Sequence, residues 1–189
     1  MKTYWTVIVT LLCLVCGCRR SVSQGPELAT AATIKDLMNA MVDPNAEYLF
    51  DNIVVIVDEK GIIDKMPKTD DEWKEVRRRA LLLFEAPNLL VTPGRKVAEP
   101  GDKAENREVE LGPEQIQKLI DGDRDAFIRH ARRLQDAAAL ALKAIDARDK
   151  KELFSKLEDV DKACESCHLH YWYPNDKRAR EAANEDGVN

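Results

Sequence analysis

The residues of this chain best suited to chemistry are Cys164-Glu165-Ser166-Cys167-His168. Two thiols three residues apart, with an imidazole directly after the second, have the spacing of a c-type haem attachment site. The thiols add across the two vinyl groups of the porphyrin, so the cofactor cannot dissociate. The spacing also matches about one turn of helix. His168 then lies beneath the ring and offers a nitrogen to the iron as proximal ligand. The expected cofactor is one covalent haem c. Two other chemistries use such a pair. A zinc half-site needs two more ligands at suitable spacing, and His130 and His170 are the only other histidines. A redox dithiol is expected after a strand, at a helix N-terminus, whereas this pair falls late in a helical pattern.

The rest of the chain must position these side chains. Its 189 residues carry a net charge of −5, with 33% charged residues of both signs intermixed. No broad basic surface emerges, so nucleic acid is not an expected partner. Glycines are few, Ala, Leu, Lys, Glu and Asp abound, and alternating Val/Ile/Thr runs are not apparent, so an all-α domain is expected.

Residues Met1 to Val15 hold one lysine and then an apolar run from Val7. That run is short for a membrane span but suits a secretory signal. The sequence Val15-Cys16-Gly17-Cys18 resembles a bacterial lipoprotein signal, with Cys16 an unusual occupant of its position. Residues 1–17 are then a signal peptide, Cys18 is the lipidated residue, and 18–32 is a polar tether broken at Gly25-Pro26. A plain exported protein and an uncleaved anchor are the other readings. The expected location is the bacterial cell envelope, on the periplasmic side, with the membrane reached through the lipid.

A domain spanning 33–173 follows, then a polar tail over 174–189. Ile34, Leu37, Met38, Met41, Val42, Leu49, Phe50, Ile53, Val54 and Val57 follow the 3.6-residue period and predict a first helix from about Thr33 to Val57, kinked or restarted at Asp43-Pro44. Asp58 to Lys68 reads as a connection. Thr69-Asp70-Asp71-Glu72 has the pattern of a capping box and opens a second helix to about Glu85, with Trp73, Val76, Ala80, Leu81 and Phe84 inward. Arg77 to Arg79 read as solvated surface, or as an ionic partner for a haem propionate. Ala86 to Gly112 reads as a long irregular loop, pinned by Leu89, Leu90 and Val91. A short helical piece runs from Gly112-Pro113 to about Ile120. A third long helix covers about Asp123 to Arg148, and its small residues Ala137 to Ala139 and Ala141 would admit a close neighbour or a flat ring. Asp149-Lys150 begins a fourth helix, in which Leu153, Leu157, Val160, Cys164, Cys167 and Tyr171 share one stripe. It ends before Pro174, and the tail reads as frayed, with room for a helical segment at Asp176 to Ala183.

Four amphipathic helices, with Cys164, Cys167, His168 and Tyr171 near the end of the last, resemble the class II cytochromes c, the cytochrome c-prime family. The resemblance covers about Thr33 to Tyr173. It implies an antiparallel four-helix bundle with the haem between helices at one end. It also implies one of two iron sites: a first-helix methionine completes the coordination and the protein carries electrons, or the distal face is empty and the iron binds small gases. Met38 falls where six-coordinate members carry that ligand, and Met41, one turn later, is the reserve. Both would otherwise be core packing. His130 is a further contender; His170 faces roughly away from His168. Trp172, where the family often has a basic residue, and the insertion over 86–112 depart from the family pattern.

Three functions follow as expectations. The first is a one-electron carrier, not an enzyme, working with redox partner proteins in the periplasm or membrane. The second is a five-coordinate protein that binds nitric oxide or carbon monoxide. The third is an interaction module in which haem is a structural staple. Family members often pair through their first two helices, so a homodimer is a further expectation.

Overall fold

The computed structural model describes residues 28–58 and 61–185, and most of them are helical. The first helix starts where Thr33 caps it. The Thr33 hydroxyl accepts the Asp36 amide at 3.1 Å, and the Asp36 carboxylate accepts the Thr33 amide at 2.8 Å, so orphan donors at the helix start find partners. Helix α1 (Ile34–Leu37) runs straight into a π-helical segment, Met38–Val42, and then helix α2 (Asp43–Asn52). The wide turn has a visible cause. Pro44 lacks an amide and its ring would crowd the Ala40 carbonyl in a regular helix. The π turn opens there, with the Asp43 amide donating to Met38, and the Asn45 side-chain amide donates to the Met41 carbonyl at 2.5 Å.

The first helix does not reach Val57. It stops at Asn52, and Val54–Asp58 (β1) pairs antiparallel with Gly61–Lys65 (β2), Val54 opposite Lys65 and Asp58 opposite Gly61. The β-branched run Val54-Val55-Ile56-Val57 is the reason: such side chains lose rotamer freedom in a helix and sit well on a strand. The expected connection over Asp58 to Lys68 therefore holds the second strand of a hairpin.

Helix α3 (Asp70–Leu90) opens on the expected capping box, Glu72 amide to Thr69 hydroxyl at 3.2 Å and Thr69 amide to Glu72 carboxylate at 2.9 Å. It continues past Glu85, through Pro87, to Leu90. Proline removes one helical hydrogen bond, but Ala86, Pro87 and Leu90 are all buried, and this packing outweighs the loss. Trp73, Val76 and Ala80 are buried as expected, and Leu83 joins them. Leu81 is 40% exposed because it falls one residue off that stripe. Residues 91–112 form the irregular connection, five residues shorter than the sequence suggested at its start.

Helix α4 (Pro113–Gly122) and helix α5 (Arg124–Asp146) follow, the latter capped by the Asp123 carboxylate on the Ala126 amide at 2.9 Å. Asp149 likewise caps helix α6 (Lys150–Tyr171) through the Glu152 amide at 2.9 Å. The tail holds a helical segment close to the expected one: Lys177–Glu185 is helix α7, with Ala183 buried.

The main helix packings are α5 on α6, α3 on α5 and α2 on α3. They enclose one large core to which α2, α3, α5 and α6 all contribute, with Leu49, Leu83, Ala138 and Leu153 fully buried at its centre. A second, smaller core joins Ile34, Leu90, Val97, Ile116, Ile120, Phe127 and Tyr171. Among the described residues no helix is long and apolar enough to cross a membrane.

Candidate functional site

One cleft gathers the chemistry-bearing residues where the two cores meet. Met38 and Val42 line it from the first helical segment, Leu90 from α3, Phe127, His130, Ala131 and Leu134 from α5, and Ala163, Cys164, Cys167 and His168 from α6. The α6 contribution follows from helix geometry. Residues three and four apart share a face, so the buried stripe through Leu153, Leu157 and Val160 leads directly to Ala163, Cys164 and Cys167. The apolar periodicity that builds the core thus also carries the thiols inward.

Met38 packs against both cores, Cys164 against the larger and Cys167 against the smaller. The cleft therefore straddles the joint between them. It is narrow, about 30 Å³. That is far less than a porphyrin needs, so the walls must part to admit one.

The environment sets the state of each group. Burial pushes the thiols of Cys164 and Cys167 up to about 12. That is the reverse of what a redox or nucleophilic dithiol needs, which is a stabilised thiolate. His168 is pushed below its ordinary value by burial, with Asp43 and Glu165 pulling the other way. Its imidazole is neutral near pH 7, the form that binds a metal. Asp43, at the end of the π segment, is pushed up by desolvation and held back by His168, so the two lie within electrostatic reach. The Tyr173 hydroxyl donates to the Glu165 carboxylate at 2.7 Å, which fixes the residue after the first thiol.

The other candidates are sorted by the fold. Met41 packs on the larger core but does not line the cleft. His170 is exposed and outside it. His130 lines it, with a buried Nδ1 that has no hydrogen-bond partner, and burial pushes it down to about 4. Arg77 pairs with Asp146 at 2.7 Å, and Arg78 and Arg79 pair with Glu75; none of the three lines the cleft, so the propionate role has no support there. Cys18 lies outside the described residues. Sequence reasoning missed Leu90 as a wall of the cleft. The signal was present, since Leu90 follows Leu83 by seven residues on the stripe of α3.

The donor types that meet here are those a covalent haem uses. Two thiols on one helical turn, the imidazole beside them and a facing thioether share one apolar cleft. Among the described residues no three His, Cys, Asp or Glu side chains converge as a site for a bare metal ion. The chain matches no family model, no curated protein and no solved structure.

Proposed function

We propose that this chain is a c-type cytochrome of the class II kind, a four-helix bundle that carries single electrons through one covalent haem c. The observation that carries this reading is the meeting of Cys164, Cys167, His168 and Met38 in a single cleft between the first segment and α6. Cys164 and Cys167 hold the group as thioethers. His168 and Met38 would supply the iron's protein ligands. Met41 is the weaker choice, because it stands outside the cleft.

Bound there, haem supplies an iron that cycles between ferric and ferrous states one electron at a time. The chain's own residues do the rest. With an imidazole ligand, a thioether ligand would favour the ferrous state and raise the potential. Leu90, Phe127, Ala131 and Leu134 line the cleft and would keep water from the bound group, and burial favours the neutral form of His168. No acid, base or nucleophile is required, so the protein is a carrier rather than an enzyme. Residues 1–17 and Cys18 fit a lipoprotein export signal, which supports a carrier working at the periplasmic face of a bacterial membrane with redox partner proteins.

The test is the absorption spectrum of the full chain made in a host competent for cytochrome maturation. Low-spin bands in both oxidation states are expected. High-spin bands in both states, with rapid carbon monoxide binding to the ferrous form, would move the assignment to the gas-binding type. A colourless protein with the thiols of Cys164 and Cys167 free would end the haem reading altogether.

A further inference from the structure

We propose that the irregular connection 91–112 is a strut that holds Met38 at its working distance from His168, with Arg95 as its positioning residue. This rests on the reading of Met38 and His168 as the two axial ligands.

The need for a strut comes from the shortness of α1. Only four helical residues, Ile34–Leu37, precede the π segment that begins at Met38. A helix end is the first part to open, because its leading amides have no partner within the helix. Here each of the first three amides is satisfied. Asp36 donates to Thr33. Ile34 donates to the Lys96 carbonyl at 2.8 Å and Lys35 to the Val97 carbonyl at 2.9 Å. Two of the three partners thus come from the connection.

Arg95 locks this arrangement. Gly94, with φ of +77°, takes a left-handed turn that a side chain would resist, and this brings the chain round beside residues 32–35. Arg95 is only 8% exposed. Its Nε donates to the Leu89 carbonyl at 2.7 Å and its Nη1 to the Ala32 carbonyl. One guanidinium therefore ties the end of α3 to the residue just before the cap of α1. Burying a charge is costly unless it is well hydrogen-bonded, and these bonds go to backbone whose separation matters.

The far end of the strut reaches the helix that bears His168. The Leu111 amide donates to the Trp172 carbonyl at 2.8 Å, four residues beyond His168. In between, Val97 is buried in the smaller core, its amide donating to the Gln117 side chain at 2.9 Å. The connection is thus bonded to both walls of the cleft, on the Met38 side and on the His168 side.

The test uses the holoprotein of the full chain and four variants: Met38→Leu, Arg95→Lys, Arg95→Ala and Gln117→Ala. Readouts are the spin state in the absorption spectrum, the rate of carbon monoxide binding to the ferrous form, and helix content by circular dichroism. Loss of the tie raises the fraction of molecules with Met38 off the iron. A rise from roughly one in a hundred to one in ten speeds carbon monoxide binding about tenfold. Arg95→Ala is expected to show this with helix content unchanged, and Arg95→Lys, which keeps the charge but not the fork, a smaller rise. Should Arg95→Ala fail to fold, Gln117→Ala carries the test with a several-fold rise. A folded Arg95→Ala, or in its absence Gln117→Ala, with the wild-type spectrum and rate overturns the strut, provided Met38→Leu changes both. A wild-type spectrum in Met38→Leu instead overturns methionine ligation itself, and the strut with it.

Discussion

Tyr171 meets Phe127 edge-on, with ring centroids 5.5 Å apart and planes at 86°. This contact keys the end of α6 to the start of α5 next to the thiol-bearing cleft. The Tyr171 hydroxyl is buried without a hydrogen-bond partner, so the ring contributes and the oxygen does not. Tyr171→Phe is therefore expected to leave stability unchanged or to raise it by about 1 kcal/mol, while Tyr171→Ala lowers it by about 3–5 kcal/mol. Urea denaturation of the three proteins checks this. A clear loss in the Phe variant would mean that the hydroxyl has a partner.

Met38 and Met41 stand one turn apart but differ in surroundings: both pack on the larger core, and only Met38 lines the cleft. Met38→Leu in the holoprotein is expected to convert the ferric spectrum from low to high spin, and Met41→Leu to leave it unaltered. The opposite pattern would transfer the ligand role to Met41.

Leu153 and Leu140 test the packing order of the helices. Leu153 is fully buried in the core shared by four helices, whereas Leu140 is 41% exposed. Leu153→Ala is expected to cost about 2–5 kcal/mol and Leu140→Ala less than about 0.5 kcal/mol, by denaturant midpoint. Comparable losses would require a partner surface over Leu140.

Glu75 gives a pH signature. Hydrogen bonds from Arg78 and Arg79 lower its carboxyl to about 2. A depressed carboxylate contributes stability above its unfolded value, near pH 4.5, and loses it as pH falls through the folded one. The stability gap between the wild type and Glu75→Gln is thus expected to be constant at neutral pH and to shrink steadily from pH 4.5 toward 2. A gap independent of pH over that range would refute the role of the pair. Arg78 is exposed and Glu75 and Arg79 are only half-buried, so solvent screens the pairs and the gap at neutral pH is small.

Much of the helical frame was legible because its signals are local. Thr69 and Glu72, Asp123, and Asp149 mark helix starts through their own side chains, and the stripe from Leu153 to Tyr171 follows from periodicity alone. The errors came where neighbours decide. Val54 to Val57 keep a helical spacing of apolar residues yet pair with residues 62–65, because β-branched residues favour a strand with a partner. Pro87 looked like a helix end, but burial of Ala86 and Leu90 carries α3 beyond it.

By itself the sequence determined the chemistry available: a Cys-x-x-Cys-His turn, its place on the inward face of the last long helix, and the methionines of the first. Those depend on residue type and on spacing within one element. Only the tertiary structure decided which groups meet. It brings Met38 and His130 into the cleft with Cys164 and His168, leaves Met41 and His170 outside it, and turns the 91–112 connection back onto both of its walls. Such meetings depend on how separate helices pack, and packing is settled by the whole core rather than by any one stretch of chain.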